Sequence, residues 1–523
     1  MPLLFAPRGS STALDESLSR WVESRRKLWI FCAFIAATIW TILFFQFTID
    51  DAFISFRYGQ MLVEHHVWNW NPSGDRVEAY TSLTYTALSI IPAFLHMSSA
   101  LFFKIFGILC VGGMIHRLHA RSSSGFAFLL ALSLIALHPW LWMHTFSGLE
   151  TPLYMLLILE MAICVERADS VNPLYVYTIF LLLPLTRPEG LVFALAGVAL
   201  FLKRRGNLPL RLGQFMIVMS FGLVLFVTSW HYFHAPFPNP FYVKVTHSSL
   251  REIRASLLAN IASNAGMLAA LGIAFGMARK LSTRVFIVCG IALMLFLFAP
   301  HMMPMNYAHR FYFQLFLPLI LIFYMTEDLL PIARMSCVIA VVSLITVAIH
   351  SDLRMGLEYF PYLSRAHVDL GTKLAPFARN HTLLIGDAGA VPYYSGWVSY
   401  DFMGLCTNKI AKDGLTVNGL QEMQPDLIVI YTHHPGPTML QDPETRTFLT
   451  AQAVVVDYMI ESGEYQYAGA SRFRYFYLAE FVRKNTSDLP EILSAIEQNT
   501  NSSAPGGYSM ENLLLQKYVP WRR

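Results

Sequence analysis

Charge is scarce in this chain. Only 14% of its 523 residues are Asp, Glu, Lys or Arg, against about a quarter in ordinary globular proteins, so water is not the solvent for most of its surface. Cysteine is sparse too. Of Cys32, Cys110, Cys164, Cys289, Cys337 and Cys406, only Cys406 lies in the polar C-terminal part, which excludes an internal disulfide there. The net charge of +4 is small for the length and is spread in short basic clusters between apolar runs, which argues against nucleic acid as a partner. No repeat of fixed period is present. The segment Gly386-Asp387-Ala388-Gly389 lacks the spacing of a dinucleotide loop, and His231, His234 and His247 lack the spacing of a zinc site.

What the chain does have is apolar length: 55% of its residues are apolar. Runs of roughly 17 to 25 apolar residues, enough to cross a hydrocarbon core of about 30 Å, recur from Leu28 to His350 and not beyond. They predict spans near 29–48, 124–142, 150–166, 172–184, 188–202, 210–233, 256–278, 284–300, 310–326 and 331–350, with one more crossing within 81–116, about eleven in all. The first run follows Arg20, Arg25, Arg26 and Lys27 and is too long for a cleaved signal peptide, so it reads as a signal anchor behind a cytoplasmic segment 1–28. A single crossing within 81–116, with 81–97 re-entrant or interfacial, puts Arg117, Arg121, Lys203, Arg204, Arg205, Arg211, Arg279, Lys280 and Arg284 on the cytoplasmic side, as the positive-inside rule asks. The polar loops around Asp50-Asp51, Ser147–Glu150, Arg187–Gly190, Pro238–Lys244 and Met305–Arg310 then all open outward, together with everything after residue 350.

The region 351–523 reads as a soluble α/β domain on that outer side. Strands are expected at Thr382–Ile385, Leu427–Tyr431 and Val454–Ile460, with Tyr475–Phe481 as an edge strand. Asp387, in a glycine-rich turn after the first of these, reads as a structural turn residue. Residues 484–512, rich in Asn, Ser, Gly and Pro, read as a loose tail.

Two adjacent aspartates, Asp50 and Asp51, stand where the first span leaves the bilayer. One of them would serve as a helix cap, since Asp is a favoured N-cap residue. Two exceed what one cap requires, and a carboxylate at the mouth of a membrane cavity is a candidate general base or metal ligand. Arg57, Arg187, Lys244 and Arg310 supply cations at the same face, where an Arg fork or a Lys point charge could hold a phosphate; for Lys244 and Arg310 the plain alternative is snorkelling at a span end. Glu78, Glu150, Glu189, Asn239 and Tyr242 are candidates for substrate contacts, although Glu150 and Glu189 also suit the first turn of a helix.

The segments Asp50-Asp51-Ala52-Phe53-Ile54-Ser55-Phe56-Arg57-Tyr58, Trp70-Asn71-Pro72 and Val77-Glu78-Ala79-Tyr80-Thr81-Ser82 resemble the first-loop signature of GT-C class glycosyltransferases that use polyprenyl-phosphate sugars. The likeness is closest to the group of the actinobacterial terminal arabinofuranosyltransferase and its bacterial relatives. Ser147-Gly148-Leu149-Glu150-Thr151-Pro152-Leu153, Thr186-Arg187-Pro188-Glu189-Gly190, Pro238-Asn239-Pro240-Phe241-Tyr242-Val243-Lys244, Arg310-Phe311 and Gly386-Asp387-Ala388-Gly389 follow in the order of that group. Where the group often reads Gly-Tyr-Thr and Asn-Thr-Phe-Tyr, this chain has Ala79-Tyr80-Thr81 and Asn239-Pro240-Phe241-Tyr242.

The resemblance implies an all-α polytopic membrane bundle over 29–350 with an extracytoplasmic α/β domain, in a bacterial plasma membrane. It further implies transfer of a sugar from a polyprenyl-phosphate donor to a glycan or lipid-linked acceptor, with Asp51 or Asp50 as base. The resemblance names no cofactor; a divalent metal is compatible with it, and no residues are assigned as its ligands. A transporter or flippase of a lipid-linked sugar would instead need charges within the spans, of which Lys104 and Glu160 are the main cases. A non-catalytic regulatory protein of the same fold would not need Asp50, Asp51, Arg57 and Lys244.

Overall fold

The computed structural model describes residues 24–502, apart from 122–124, 205–207, 245–249, 302–305, 327–351 and 379–380. The expected span at 331–350 lies outside the described residues. Among the described residues, five helices are long and apolar enough to cross a membrane, or up to seven if each of two bent pairs is one span. Arg26–Phe44 (α1) leads into a short helix, Ala52–His65 (α2), and then into two brief turns of helix at Leu83–Leu88 and Ile90–Phe94 before the single long helix Ser99–Arg121 (α3). Ala127–Leu137 and Pro139–Phe146 (α4) form one bent pair, at 59°. Thr151–Glu166 (α5), Pro173–Thr186 (α6) and Gly190–Arg204 (α7) occupy expected segments but are shorter than the roughly 20 residues of a full crossing. Proline at the first turn of α4, α5 and α6 costs nothing there, because those N–H groups have no helical partner. Leu208–Phe233 (α8), the short Asn239–Lys244 (α9), the second bent pair Leu250–Ser263 and Ala265–Met277 at 70°, and a helix entering a π-turn near Phe298 complete the outer ring.

At the centre stands Arg310–Thr326 (α10), buried over almost its whole length. By contrast α1 and α8 expose Phe31, Phe34, Ile217 and Phe221. Apolar faces of that extent are stable only against lipid or another apolar partner.

The C-terminal unit begins with a helical stretch over 352–374 (α11), which contains a π-turn at Ser364–Val368. Thr382–Ile385 (β1), Val398–Asp401 (β2), Leu427–Thr432 (β3), Tyr465–Phe473 (β4) and Phe476–Arg483 (β5) form one mixed sheet in the order β2-β1-β3-β5-β4. β1 pairs in parallel with β2 and β3, and β5 runs antiparallel between β3 and β4. Ala390–Ser395 (α12) follows β1, Thr450–Ser462 (α13) precedes β4, and Leu489–Ser502 (α14) packs across β4.

Three expectations are corrected here. Val454–Ile460 is not a strand but the middle of α13, whose buried residues Gln452, Val455, Val456 and Tyr458–Met459 follow the helical period. The strand expected at an edge is interior, because β4, which the sequence did not reveal, covers its outer side. The expected tail holds α14, whose Ile492 and Ile496 are fully buried.

Candidate functional site

The loop that joins α1 to α2 is clamped between the bundle and the C-terminal unit. Ile49 N–H donates to the Ser147 carbonyl at 3.0 Å. Gly148, with φ of +80°, packs so closely on the start of α2 that a Cβ would stand 2.9 Å from that of Ala52. On its other side Asp50 is 2% exposed, and its two carboxylate oxygens accept from the main-chain N–H groups of Gly389 (3.0 Å) and Ala390 (2.8 Å) at the start of α12. A side chain at Gly389 would collide with Asp50 itself, which is why the Gly-Asp-Ala-Gly turn carries glycine here. Burial, and then the nearby Asp387 carboxylate, push the pKa of Asp50 up to about 7 against the lowering effects of His367 and the Ala390 N–H. Asp50, expected as an alternative base, is therefore committed to joining the two units.

Asp51 occupies the N-cap position of α2 but makes no capping bond with its side chain. It is half-buried and lies within electrostatic range of Arg310, Tyr307 and Asp50. Helix capping therefore does not account for it.

Arg57 departs from expectation. Its guanidinium is fully buried and donates to the carbonyls of Trp70 (2.7 Å), Trp397 (2.7 Å) and Pro392 and to Asn71 Oδ1 (3.3 Å), while stacking over the Trp70 ring at 4.8 Å. With four donor bonds spent on protein, the phosphate role expected of Arg57 is replaced by that of a clasp between the first loop and the C-terminal unit.

The remaining charges gather where α5, α7 and α10 begin. Arg187, in the turn between α6 and α7, pairs with Glu150 and, at 2.5 Å, with Glu189; all three side chains are under a tenth exposed. Burial works against the Arg187 charge, but Glu189 and Glu150 outweigh it and raise its pKa. Gln314 Nε2 donates to Glu189 at 3.2 Å, and the Tyr154 ring lies 5.9 Å from the Arg187 guanidinium carbon. Arg310 stands beside this triad, 6% exposed, over the Phe311 ring at 4.8 Å. Its Nε and Nη1 are buried without any hydrogen-bond partner.

The same is true of His144 Nδ1, Thr151 Oγ1, Tyr154 Oη and Gln314 Oε1. Because His144 Nε2 faces the Ala308 carbonyl at 3.1 Å and must donate to it, Nδ1 is left as an acceptor. More than nine in ten buried polar groups in native proteins are paired, so unpaired donors and acceptors gathered around one pair of arginines are unusual. Ala308 and His309, both at φ near +50°, lead directly into Arg310. Two successive non-glycine residues in the left-handed region cost of order 1–3 kcal/mol each, a strain that clusters at functional sites.

Glu78 and Asn239 belong to a second polar group. Glu78 accepts from Ser229 at 3.3 Å, its carbonyl accepts the Asn239 N–H at 2.9 Å, and burial pushes its carboxyl pKa up to about 7. Tyr242 is half-buried on α9; Lys244 ends that helix, but its side chain lies outside the described residues. Sequence reasoning missed His144, Tyr154 and Gln314, which sit in apolar runs where a lone polar residue signals nothing, and singled out Glu150 but not its neighbour Thr151.

Among the described residues one trio, His434, Asp442 and Glu444, brings potential metal-ligand atoms within 4.8 Å of one another. It lies on the surface of the C-terminal unit, where Asp442 also caps a helix through the Glu444 N–H at 2.9 Å. Lys104 and Glu160, the main charges within the expected spans, are both paired: Glu160 with Arg117 and Tyr175, and Lys104 with the Phe45 carbonyl.

Residues 362–488 match a family described as a domain of unknown function (DUF8728). The match covers β1 to β5 and part of α11, and none of the bundle. No curated protein and no solved structure matches the chain.

Proposed function

We propose that this chain is a GT-C class membrane glycosyltransferase that moves a sugar from a polyprenyl-phosphate donor to a cell-envelope glycan or lipid acceptor at the outer face of a bacterial plasma membrane. On this reading the bundle has about eleven spans and the C-terminal unit is extracytoplasmic. The observation that carries it is Arg310, a buried guanidinium with two unpaired nitrogens, set beside the Arg187 triad and within electrostatic range of Asp51.

An anion stabilised at developing charge is what departure of a phosphate needs, and Arg presents its donors in a fork that fits phosphate oxygens. Asp51 takes the proton of an acceptor hydroxyl as that oxygen bonds to the anomeric carbon, the bond from that carbon to the phosphate oxygen breaks, and the electron pair leaves with the phosphate toward Arg310. Position along the bundle agrees with this. Glu150, at one end of α5, joins the candidate site, whereas Glu166, at its other end, pairs with the basic-cluster residues Arg204 (3.3 Å) and Lys280 (3.1 Å); on this reading that other end is the cytoplasmic one, as the positive-inside rule asks.

The test compares cells with and without the gene. Loss of one sugar from an envelope glycan together with accumulation of its polyprenyl-phosphate form is expected; unchanged glycans and unchanged lipid-linked sugars would refute the reading.

A further inference from the structure

The turn after β1 carries a further carboxylate, Asp387, held unlike a turn residue. An ordinary turn aspartate bonds the main-chain amides of its own turn. Asp387 instead receives His367 Nε2 on one oxygen and Tyr431 Oη on the other, each at 2.8 Å. His367 comes from the π-turn of α11 and is wholly buried, and Tyr431 comes from β3. Burial alone would lower the pKa of His367, but its bond to Asp387 and the Asp387 charge outweigh that and raise it. Three elements of the C-terminal unit thus fix one carboxylate, whose side chain is left 14% exposed.

Its direction is set by the clamp already described, because Asp50 holds Gly389 and Ala390 against the first loop. Tyr307, immediately before the strained residues Ala308 and His309, is within electrostatic range of both Asp51 and Asp387, and its ring packs on Tyr359 at 5.0 Å between centroids. Tyr359 Oη in turn accepts the Asp50 N–H at 3.4 Å. Asp51 and Asp387 therefore both lie near Tyr307, the first on the bundle and the second in the domain of unknown function.

We infer that Asp387 is the acceptor-positioning residue: it receives hydroxyl hydrogens of a neutral, hydroxyl-rich acceptor and holds it with the reacting hydroxyl toward Asp51. A carboxylate has about four lone-pair directions, and His367 and Tyr431 use two. The remainder suit O–H donors of a sugar. This assigns the domain of unknown function the acceptor side of the proposed transfer and rests on that proposal.

The experiment uses the full-length protein in nanodiscs with two probes: a panel of neutral di- and trisaccharides followed by saturation-transfer NMR, and a short-chain isoprenyl monophosphate followed by calorimetry. At least one saccharide should bind the wild type, and Asp387→Asn should weaken it tenfold or more while leaving isoprenyl phosphate affinity unchanged. Tyr431→Phe, which keeps the carboxylate and removes one tether, should weaken the saccharide several-fold with the same sparing of phosphate. Absence of saccharide binding in the wild type, equal saccharide affinity in Asp387→Asn, or parallel loss of both probes in both variants would overturn the inference. Failure of isoprenyl phosphate to bind the wild type would instead sink the donor assignment.

Discussion

Replacing Arg310 with Met should leave the protein at least as stable and unable to hold its donor. Arg310 Nε and Nη1 are buried and unpaired, and an unsatisfied buried donor costs about 1–3 kcal/mol, so the two together cost about 2–6 kcal/mol. Stacking on Phe311 at 4.8 Å returns roughly 1–2 kcal/mol. Met fills the space with a flexible apolar chain, which leaves a net gain of about 0–5 kcal/mol and an unfolding midpoint unchanged or a few degrees higher in detergent. Binding of an isoprenyl monophosphate should fall about a hundredfold, since loss of one partner in a buried charged pair costs about 2–5 kcal/mol. Arg310→Lys keeps charge without the fork and should fall between. If Arg310→Met were destabilised and still bound phosphate normally, the guanidinium would be a structural group and the phosphate site would lie elsewhere.

Arg57→Met takes a donor from the Trp70, Pro392 and Trp397 carbonyls; Pro392 keeps the Gly396 N–H and Trp397 keeps Ser399 Oγ, so the loss at Trp70 should cost about 1–3 kcal/mol, seen as protease cleavage between bundle and C-terminal unit. Asp50 binds a proton more readily folded than unfolded, its pKa rising from 3.8 to about 7, so its contribution is present below pH 3.8 and is lost as pH climbs through 7. Thermal midpoints should fall over that window, and Asp50→Asn should flatten the slope by up to about 4 kcal/mol; an unchanged slope would show that Asp50 does not titrate in it. For the topology, a membrane-impermeant thiol reagent applied to intact spheroplasts should label a cysteine placed at Gly436 and not one placed at Arg204; labelling at Arg204 would overturn the single crossing within 81–116.

Helical segments were legible because apolar length is a property of composition that needs no tertiary context. The sheet was less so. The Val454-Val455-Val456 run has high strand propensity, but Gly463 in the left-handed region ends a helix whose apolar face is buried in the hydrophobic core, and tertiary packing overrode the local preference. Phe476–Arg483 is buried along most of its length, the near-continuous pattern of an interior strand rather than an edge. At the site, residue types and loops could be read, whereas partners could not. Nothing in the sequence distinguishes Arg57, saturated by carbonyls, from Arg310, left unpaired, and only the fold shows that Asp50 is spent on α12 while Asp51 is not bonded as a cap.

The central claim is that Asp51 is the base of a phosphate-leaving transfer, and the most direct measurement is transfer from a radiolabelled polyprenyl-phosphate sugar to envelope acceptor by purified protein in nanodiscs. Asp51→Asn keeps the size of the side chain and removes its basicity. Transfer should fall about 10²- to 10⁴-fold, with donor affinity and unfolding midpoint held near those of the wild type. Near-normal transfer by Asp51→Asn would contradict the account and move the search for the base to Glu78, Glu150 or Glu189.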